Sequence, residues 1–378
     1  MPFRRLRARR RTLAAVGVGV LVLVAAGVWF GVSSLAEPKV VALRGPAPSV
    51  RARSAPPAPA EFQAELERLA NAYGDPMGIA VADVTGGWTA AVAGDERFPQ
   101  QSVSKLWVAL SVLQAVDEGR LSLEQQVTMR AEDRSVFYQP LTSRIRGANG
   151  QLSITVADLL RHALIESDNA ANDMLIREVG GPHVVTQTIA DKGLEGLALG
   201  GTERDMQTRT AGLTWRPEYG VTWIFKQARA QLPDEVRDRA LATYLADPPD
   251  GATPYGIVAA LTALTEGRLL SKTSTDFMLE LMGEARTGTL RLRAGLPPGW
   301  ALAHKTGTGP DWRGASVGIN DVGLLTAPDG HTYAVAVLIR QTTRPASTRH
   351  TLMRNVTRAV AAQWQTGGAT PTGAQPAN

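Results

Sequence analysis

Cysteine is absent from all 378 residues, which excludes disulfides, thiolate nucleophiles and cysteine metal ligands and leaves a packed core as the source of stability. Histidine is scarce. His162, His183, His304, His331 and His350 are the only five, and they show no metal-ligand spacing, so neither a metal nor another cofactor is expected. Lysine is nearly as rare: of 40 basic residues only six are lysine, at 39, 105, 192, 226, 272 and 305. Arginine is the default cation here, so a lysine within a chemically suggestive stretch points to work a guanidinium cannot do, above all losing a proton near neutral pH.

The chain has 44% hydrophobic and 20% charged residues, the balance of a globular protein with room for one large domain or two ordinary ones. The pI of 9.7 invites a nucleic-acid reading. Its distribution excludes one: residues 1–60 hold nine Arg and Lys39 against Glu37, which is +9 of a total of +5, leaving 5 − 9 = −4 for the rest. A nucleic-acid binder would concentrate its basic residues on the folded domain.

The basic excess sits at the start. Six Arg precede an uncharged run from Thr12 to Ala36, the pattern of an export signal or membrane anchor with its Arg cluster on the cytoplasmic side. A run of about 20 apolar residues can span a bilayer and exceeds the roughly 7–15 of a signal core, which points to a retained anchor, although Ser34-Leu35-Ala36 leaves a cleavage site open. Residues 1–36 are therefore read as signal or anchor and 37–60, rich in Pro, Ala and Arg, as a linker. Residues 61–365 form the body, placed in the periplasm or otherwise outside the cytoplasm, and 366–378 a small, polar, disordered tail. A monomer is expected.

Within the body, "EFQAELERLANAY" has apolar residues at helical spacing, and "MGIAVADVTGGWTAAVAGD" reads as two strands about a Gly-Gly turn. Val103 to Val116 is apolar enough for a buried helix, and helical patterns continue through "ITVADLLRHALIESDNAANDMLIREVG" to "STDFMLELMGEA". Strands return with "WALAHKTGTG", "SVGINDVGLLTA" and "TYAVAVLIRQTT", and a last helix follows. The fold class is α/β: an antiparallel sheet flanked by helices, its strands drawn from both sequence ends, with an all-helical lobe inserted between them.

Three short motifs carry the chemistry. Ser102 and Lys105 are three apart and share one face of a helical turn, which pairs a nucleophile with a potential base. The helix N-terminus there favours an oxyanion and disfavours a protonated amine. Ser167-Asp168-Asn169 offers a second hydroxyl and a carboxamide, although such a tripeptide is also ordinary capping chemistry. Lys305-Thr306-Gly307 offers a cation, a hydroxyl and a backbone edge on a strand. Each alone is weak evidence.

In this order, Ser-x-x-Lys, Ser-Asp-Asn and Lys-Thr-Gly resemble the active-site set of the class A β-lactamases and penicillin-binding proteins, and the likeness extends over most of residues 61–365. It implies an exported serine hydrolase that cleaves the β-lactam amide through an acyl-serine. Ser102 would be the nucleophile, Lys105 its base or proton shuttle and Ser167 the proton relay. Asn169 would contact substrate, Lys305 and Thr306 would hold its carboxylate, and the backbone N–H groups of Ser102 and Thr308 would form the oxyanion hole. Glu203 lies 36 positions after Ser167, where class A enzymes place the glutamate that activates the deacylating water. Gln207 follows where the family has an asparagine. By the same likeness Arg291, 14 positions before Lys305, is a second carboxylate ligand or a surface ion pair, and Tyr138 is an aromatic wall at the mouth or plain packing.

Several residues depart from the family pattern. Asp173 replaces an asparagine that ties down the Glu203 loop, and His304 replaces an aspartate common before the lysine. Asp250, the residue expected to close the loop, follows Gln207 by 43 positions, several times the usual spacing. Residues 208–249 are thus an extended loop insertion, read as two short helices. The insertion keeps open a cell-wall peptidase, or another serine amidase or esterase, acting on a peptidoglycan-like substrate. A catalytically silent wall- or partner-binding protein is the remaining alternative, disfavoured by the intact Ser102 and Lys105.

Overall fold

The computed structural model describes residues 56–147 and 150–368. The expected signal or anchor, most of the linker and the tail beyond Gly368 lie outside the described residues. Among the described residues no helix is long and apolar enough to cross a membrane.

Helix α1 (Ala60–Tyr73) buries Phe62, Leu66, Leu69, Ala70 and Tyr73, one stripe at helical spacing, and ends at Gly74, whose φ of 80° returns its N–H to the Ala70 carbonyl. Strands β1 (Met77–Asp83) and β2 (Thr89–Val92) form the hairpin read around the Gly-Gly turn. The C-terminal strands β7 (Ala301–Gly307), β9 (Ala315–Thr326) and β10 (Thr332–Thr342) complete an antiparallel sheet of order β2-β1-β10-β9-β7, with the short β8 (Asp311–Trp312) paired to β9, while the two-residue strands β3 (Phe98–Pro99) and β6 (Gly251–Ala252) pair with each other. Both sequence ends meet where β1 pairs with β10, Val81 opposite Val335.

The sheet is buried on both faces, and its alternation separates two cores. Ile79, Val81, Val335 and Val337 point to one side, against Leu66 and, from the final helix (Ala346–Gly368), Met353 and Val356. That helix carries three residues of the expected tail. Ala80, Ala82, Ala334, Ala336 and Leu338 face the other side, where the inserted lobe packs. Small residues on that face let helix Pro254–Thr265 lie close against β1 and β10.

At the centre of the lobe lies helix α2 (Lys105–Asp117), buried almost all round, as its apolar sequence requires. A single 3₁₀ turn, Gln101–Ser104, precedes it. The lobe also contains a hairpin of β4 (Gln126–Arg130) and β5 (Gln151–Thr155), so Ile154 and Thr155, read as the start of a helix, end a strand. Thr155 then caps helix α3 (Val156–Ile165) through the Asp158 N–H. Helix α4 (Asn169–Glu178) follows after three residues.

Residues 208–249 hold the end of a short helix (Glu203–Thr210), a 3₁₀ turn at Pro217–Gly220 and two helices, Thr222–Ala230 and Asp234–Ala246. This segment bridges two edges of the molecule. At one edge Gln139 Nε2 donates to the Gly220 carbonyl at 2.9 Å, and Phe225 meets Phe137 edge-on with centroids 5.0 Å apart. At the other, Trp312 Nε1 donates to Asp238 at 2.7 Å and the Arg237 guanidinium lies 3.2 Å over the Trp312 ring.

Candidate active site

Ser102 sits in the 3₁₀ turn ahead of α2, and Lys105 opens the helix, so the three-residue spacing turns both side chains to one side. Lys105 Nζ donates to Ser102 Oγ at 2.8 Å and to Asn169 Oδ1 at 3.0 Å. It also ion-pairs with the Glu203 carboxylate, both side chains being buried. The turn is anchored from below: Asn320 Nδ2 donates to the Pro99 and Gln100 carbonyls at 2.7 and 2.9 Å. Trp107 Nε1 donates to Gln100 Oε1 at 2.6 Å.

The members of the Ser-Asp-Asn tripeptide divide their labour. Asp168 is the N-cap of α4, accepting from the Ala171 N–H at 2.9 Å and the Leu141 N–H at 2.7 Å. With Asp168 committed to the cap, its neighbours face the two lysines. Ser167 Oγ accepts from Lys305 Nζ at 2.8 Å. Asn169 Nδ2 donates to the Val136 carbonyl at 2.9 Å, fixing which end of the amide meets Lys105. Ser167, Gln101 and Phe137 have φ of 63°, 53° and 58°, a backbone region costly for residues with a Cβ and maintained where the surroundings over-determine it.

Lys305 lies on β7, fully buried. Burial pushes its ammonium well below the ordinary lysine range, the Lys105 charge adds to this, and Glu203 and Asp321 oppose it. Thr306 Oγ1 lies 2.7 Å from Thr287 Oγ1. The end of β7 packs on the Ser102 turn so closely that a Cβ on Gly307 would fall 2.3 Å from the Gln100 carbonyl oxygen. Glycine is thus required where the strand end meets the turn that carries Ser102.

Arg291, expected as a second carboxylate ligand or a surface ion pair, forms no ion pair among the described residues. Its guanidinium donates to the Gly307 and Asn320 carbonyls at 2.9 and 2.6 Å and to Thr308 Oγ1 at 2.6 Å. It clamps the end of β7 to β9. Tyr138 is 58% exposed and lines a groove of about 750 Å³ with Trp223 and Lys226. Its carbonyl accepts from the Asn169 N–H at 2.9 Å.

Glu203 opens its short helix. Its N–H donates to Asp173 Oδ1 at 2.6 Å and the Arg204 N–H to Asp173 Oδ2 at 3.2 Å. Asp173 therefore secures this loop through the backbone. Burial, reinforced by the nearby Glu203 charge, raises the Asp173 carboxyl to about 7. Gln207, one turn on, donates to Gln101 Oε1 at 2.9 Å and lies 3.4 Å from Glu203 Oε2. Asp250 accepts from the Gln101 N–H at 2.7 Å and Tyr244 Oη at 2.9 Å, and among the described residues no cation pairs with it. His304, in place of the family's aspartate, forms a buried pair with Asp321 at 2.7 Å.

Sequence reading did not single out Gln100, Gln101, Asn320 or Tyr244. No motif contains them, and their roles depend on contacts across 98 or more positions for Gln100 to Ala198 and 221 for Asn320 to Pro99. Gln101 had one available signal, its place immediately before the serine.

The model of the Beta-lactamase enzyme family matches residues 61–364. Among curated proteins, the chain is 27% identical to β-lactamase VEB-1 of Pseudomonas aeruginosa over 278 residues, 73% of this chain and 81% of that protein. It is 30% identical to β-lactamase CTX-M-6 of Salmonella typhimurium over 283 residues, 75% and 81% of the respective chains. The crystal structure of a β-lactamase from Chitinophaga pinensis superposes with a TM-score of 0.65 at 25% identity, covering 82% of this chain and all of that one.

Proposed function

The chain belongs to the β-lactamase enzyme family, and from that premise we propose that it hydrolyses the amide of a β-lactam through an acyl-Ser102 intermediate. One observation carries the reading: Lys105 Nζ meets Ser102 Oγ and the Glu203 carboxylate at once, so the group attacked by substrate and the group that activates water share one proton carrier.

Acylation begins when Lys105 passes a proton across its ion pair to the Glu203 carboxylate, after which Ser102 Oγ attacks the lactam carbonyl carbon and gives its own proton to the freed Lys105 amine. Glu203 returns the proton once Lys105 has passed one on towards the leaving nitrogen. The oxyanion is met by the N–H groups of Ser102 and Thr308. The C–N bond then breaks, and the ring nitrogen takes a proton relayed through Ser167, which Lys305 holds by its Oγ. Lys305 and Thr306 receive the substrate carboxylate, whose charge favours the Lys305 ammonium that burial disfavours. In deacylation Glu203 takes a proton from water, the resulting hydroxide attacks the acyl carbonyl, and Ser102 leaves with a proton. The products are one ring-opened amino acid and free enzyme. Gln207 Nε2, near Glu203 Oε2, helps seat that water.

The same reading places the enzyme outside the cytoplasm, held at a membrane by residues 12–36 and acting as a monomer. The Arg cluster and the uncharged run from Thr12 to Ala36 support it. Fractionation of cells producing the full chain tests this: recovery in the cytosol would refute it.

The function is tested by incubating the protein with penicillins and cephalosporins, following turnover, and locating any adduct by peptide mass spectrometry. Turnover with a transient acyl group on Ser102, abolished in Ser102→Ala, is expected. A stable adduct without turnover would make the protein a penicillin-binding peptidase. An adduct on Ser104, whose Oγ donates to the Gln101 carbonyl at 2.8 Å, would refute the nucleophile.

A further inference from the structure

A hydrogen bond from the insertion reaches the residue beside Ser102. Tyr244, in the second inserted helix, is buried, and its hydroxyl lies between Asp250 and Gln101. Gln101 in turn meets Gln207 at 2.9 Å, and Gln207 meets Glu203. A continuous buried line thus runs from Asp250 through Tyr244, Gln101 and Gln207 to Glu203.

The chemistry of the groups gives this line a direction. An ionised Asp250 can only accept, so Tyr244 donates its one proton to it. The tyrosine oxygen is then free to accept, and Gln101 turns its NH₂ towards it. That leaves the Gln101 carbonyl facing Gln207, which must answer with its own NH₂. Gln207 consequently presents an N–H, not a carbonyl oxygen, to the Glu203 carboxylate. An asparagine at 207 would be one methylene short for this double reach. The longer side chain and the insertion are parts of one arrangement.

We propose that Tyr244 is a positioning residue for deacylation: through Gln101 it fixes the amide orientation of Gln207, and so the face of Glu203 that is left to hold water. Resting on the proposed hydrolysis through acyl-Ser102, this gives the inserted segment a role in the second half of the reaction. Acylation does not need the line, because Lys105, Ser102 and Asn169 are held by other contacts.

The test is Tyr244→Phe in the full chain, which keeps the ring and removes the hydroxyl. Burst and steady-state phases with a chromogenic cephalosporin separate the two steps. The acylation rate is expected to stay within about twofold while deacylation slows roughly tenfold, the scale of one buried hydrogen bond lost from the reacting arrangement. In a Gln207→Ala background, where the line is already cut, Tyr244→Phe should slow deacylation by less than about twofold, a non-additivity that general loosening would not produce. Equal loss in both steps, full additivity, or unchanged deacylation would overturn the proposal while leaving the hydrolysis intact. If the parent protein forms no acyl group with the cephalosporin, the hydrolytic reading fails and takes this inference with it. Should Tyr244→Phe not fold, Gln101→Met breaks the same line from the other side, with the same expected split and the same overturning outcomes.

Discussion

The Lys105 ammonium and the Glu203 carboxylate form an ion pair in which both side chains are buried, with exposures of 0% and 3%. Such a pair is held by geometry, because removing either partner strands a buried charge at a cost of about 3–5 kcal/mol unless the survivor neutralises. The same contact joins the two half-reactions. Ser102 Oγ lies on the lysine, and Gln207 lies at the glutamate's other oxygen.

Glu203→Gln should uncouple the halves. Lys105 keeps its contacts with Ser102 Oγ and Asn169 Oδ1, so Ser102 still acylates. Water loses its activating carboxylate. Deacylation should fall by about 10²–10⁴-fold, the usual contribution of a general base, and the acyl-enzyme should accumulate as a burst visible by intact-mass measurement. A parent enzyme that already gives only a burst, unaltered by the substitution, would mean that Glu203 does not activate water.

Lys105→Arg tests the neighbouring role. Arginine retains the charge opposite Glu203 but cannot deprotonate near neutral pH, so acylation should slow almost as far as in Lys105→Ala. An arginine variant that acylates at near the parent rate would show that only the charge matters. Rapid-quench measurement of the adduct decides between them.

The motif chemistry was legible in the sequence because it is local: Ser102 to Lys105 and Ser167 to Asn169 each lie within one turn, where spacing alone sets direction. The sheet was legible from the Gly-Gly turn and from the apolar runs of β1, β9 and β10, although burial on both faces erases alternation in β1 and β9 alike. What sequence could not give was the use made of long-range neighbours. Arg291 looks like a ligand by position, yet its partners are carbonyls of β7 and β9. The two inserted helices were visible as helices, but nothing in their pattern says that Trp312 receives one end or that Tyr244 faces Gln101. Such contacts depend on the packed fold.

Arg291→Ala should therefore behave as a positioning defect. Freed from Arg291, Gly307 and Thr308 lose the clamp that holds the strand edge beside Ser102, and kcat/KM should fall by roughly tenfold to a hundredfold, corresponding to about 1.4–2.7 kcal/mol. The loss should be similar for a β-lactam and for its carboxylate ester. A defect confined to the free carboxylate would restore Arg291 as a direct substrate ligand.

Asp173 supplies a test of stability against pH. Its carboxyl titrates near 3.8 in the unfolded chain and at about 7 when folded, chiefly because burial disfavours the charge. Between those values the native state binds more protons than the unfolded one, so the unfolding free energy falls as pH rises from about 4 to about 7. The full effect of this shift is on the order of 4 kcal/mol. Asp250, raised to about 6 by burial, contributes with the same sign over a narrower window. Ser135 Oγ donates to Asp173 Oδ2 at 2.7 Å, and Asp173→Asn keeps an acceptor for the Glu203 N–H and turns an NH₂ towards Ser135 Oγ but cannot ionise. Its urea midpoint should be flatter than the parent's between pH 5 and 8, keeping only the part due to Asp250 and the remaining groups. If parent and variant midpoints decline in parallel, Asp173 is already charged throughout that range, and the three donors around it outweigh its burial.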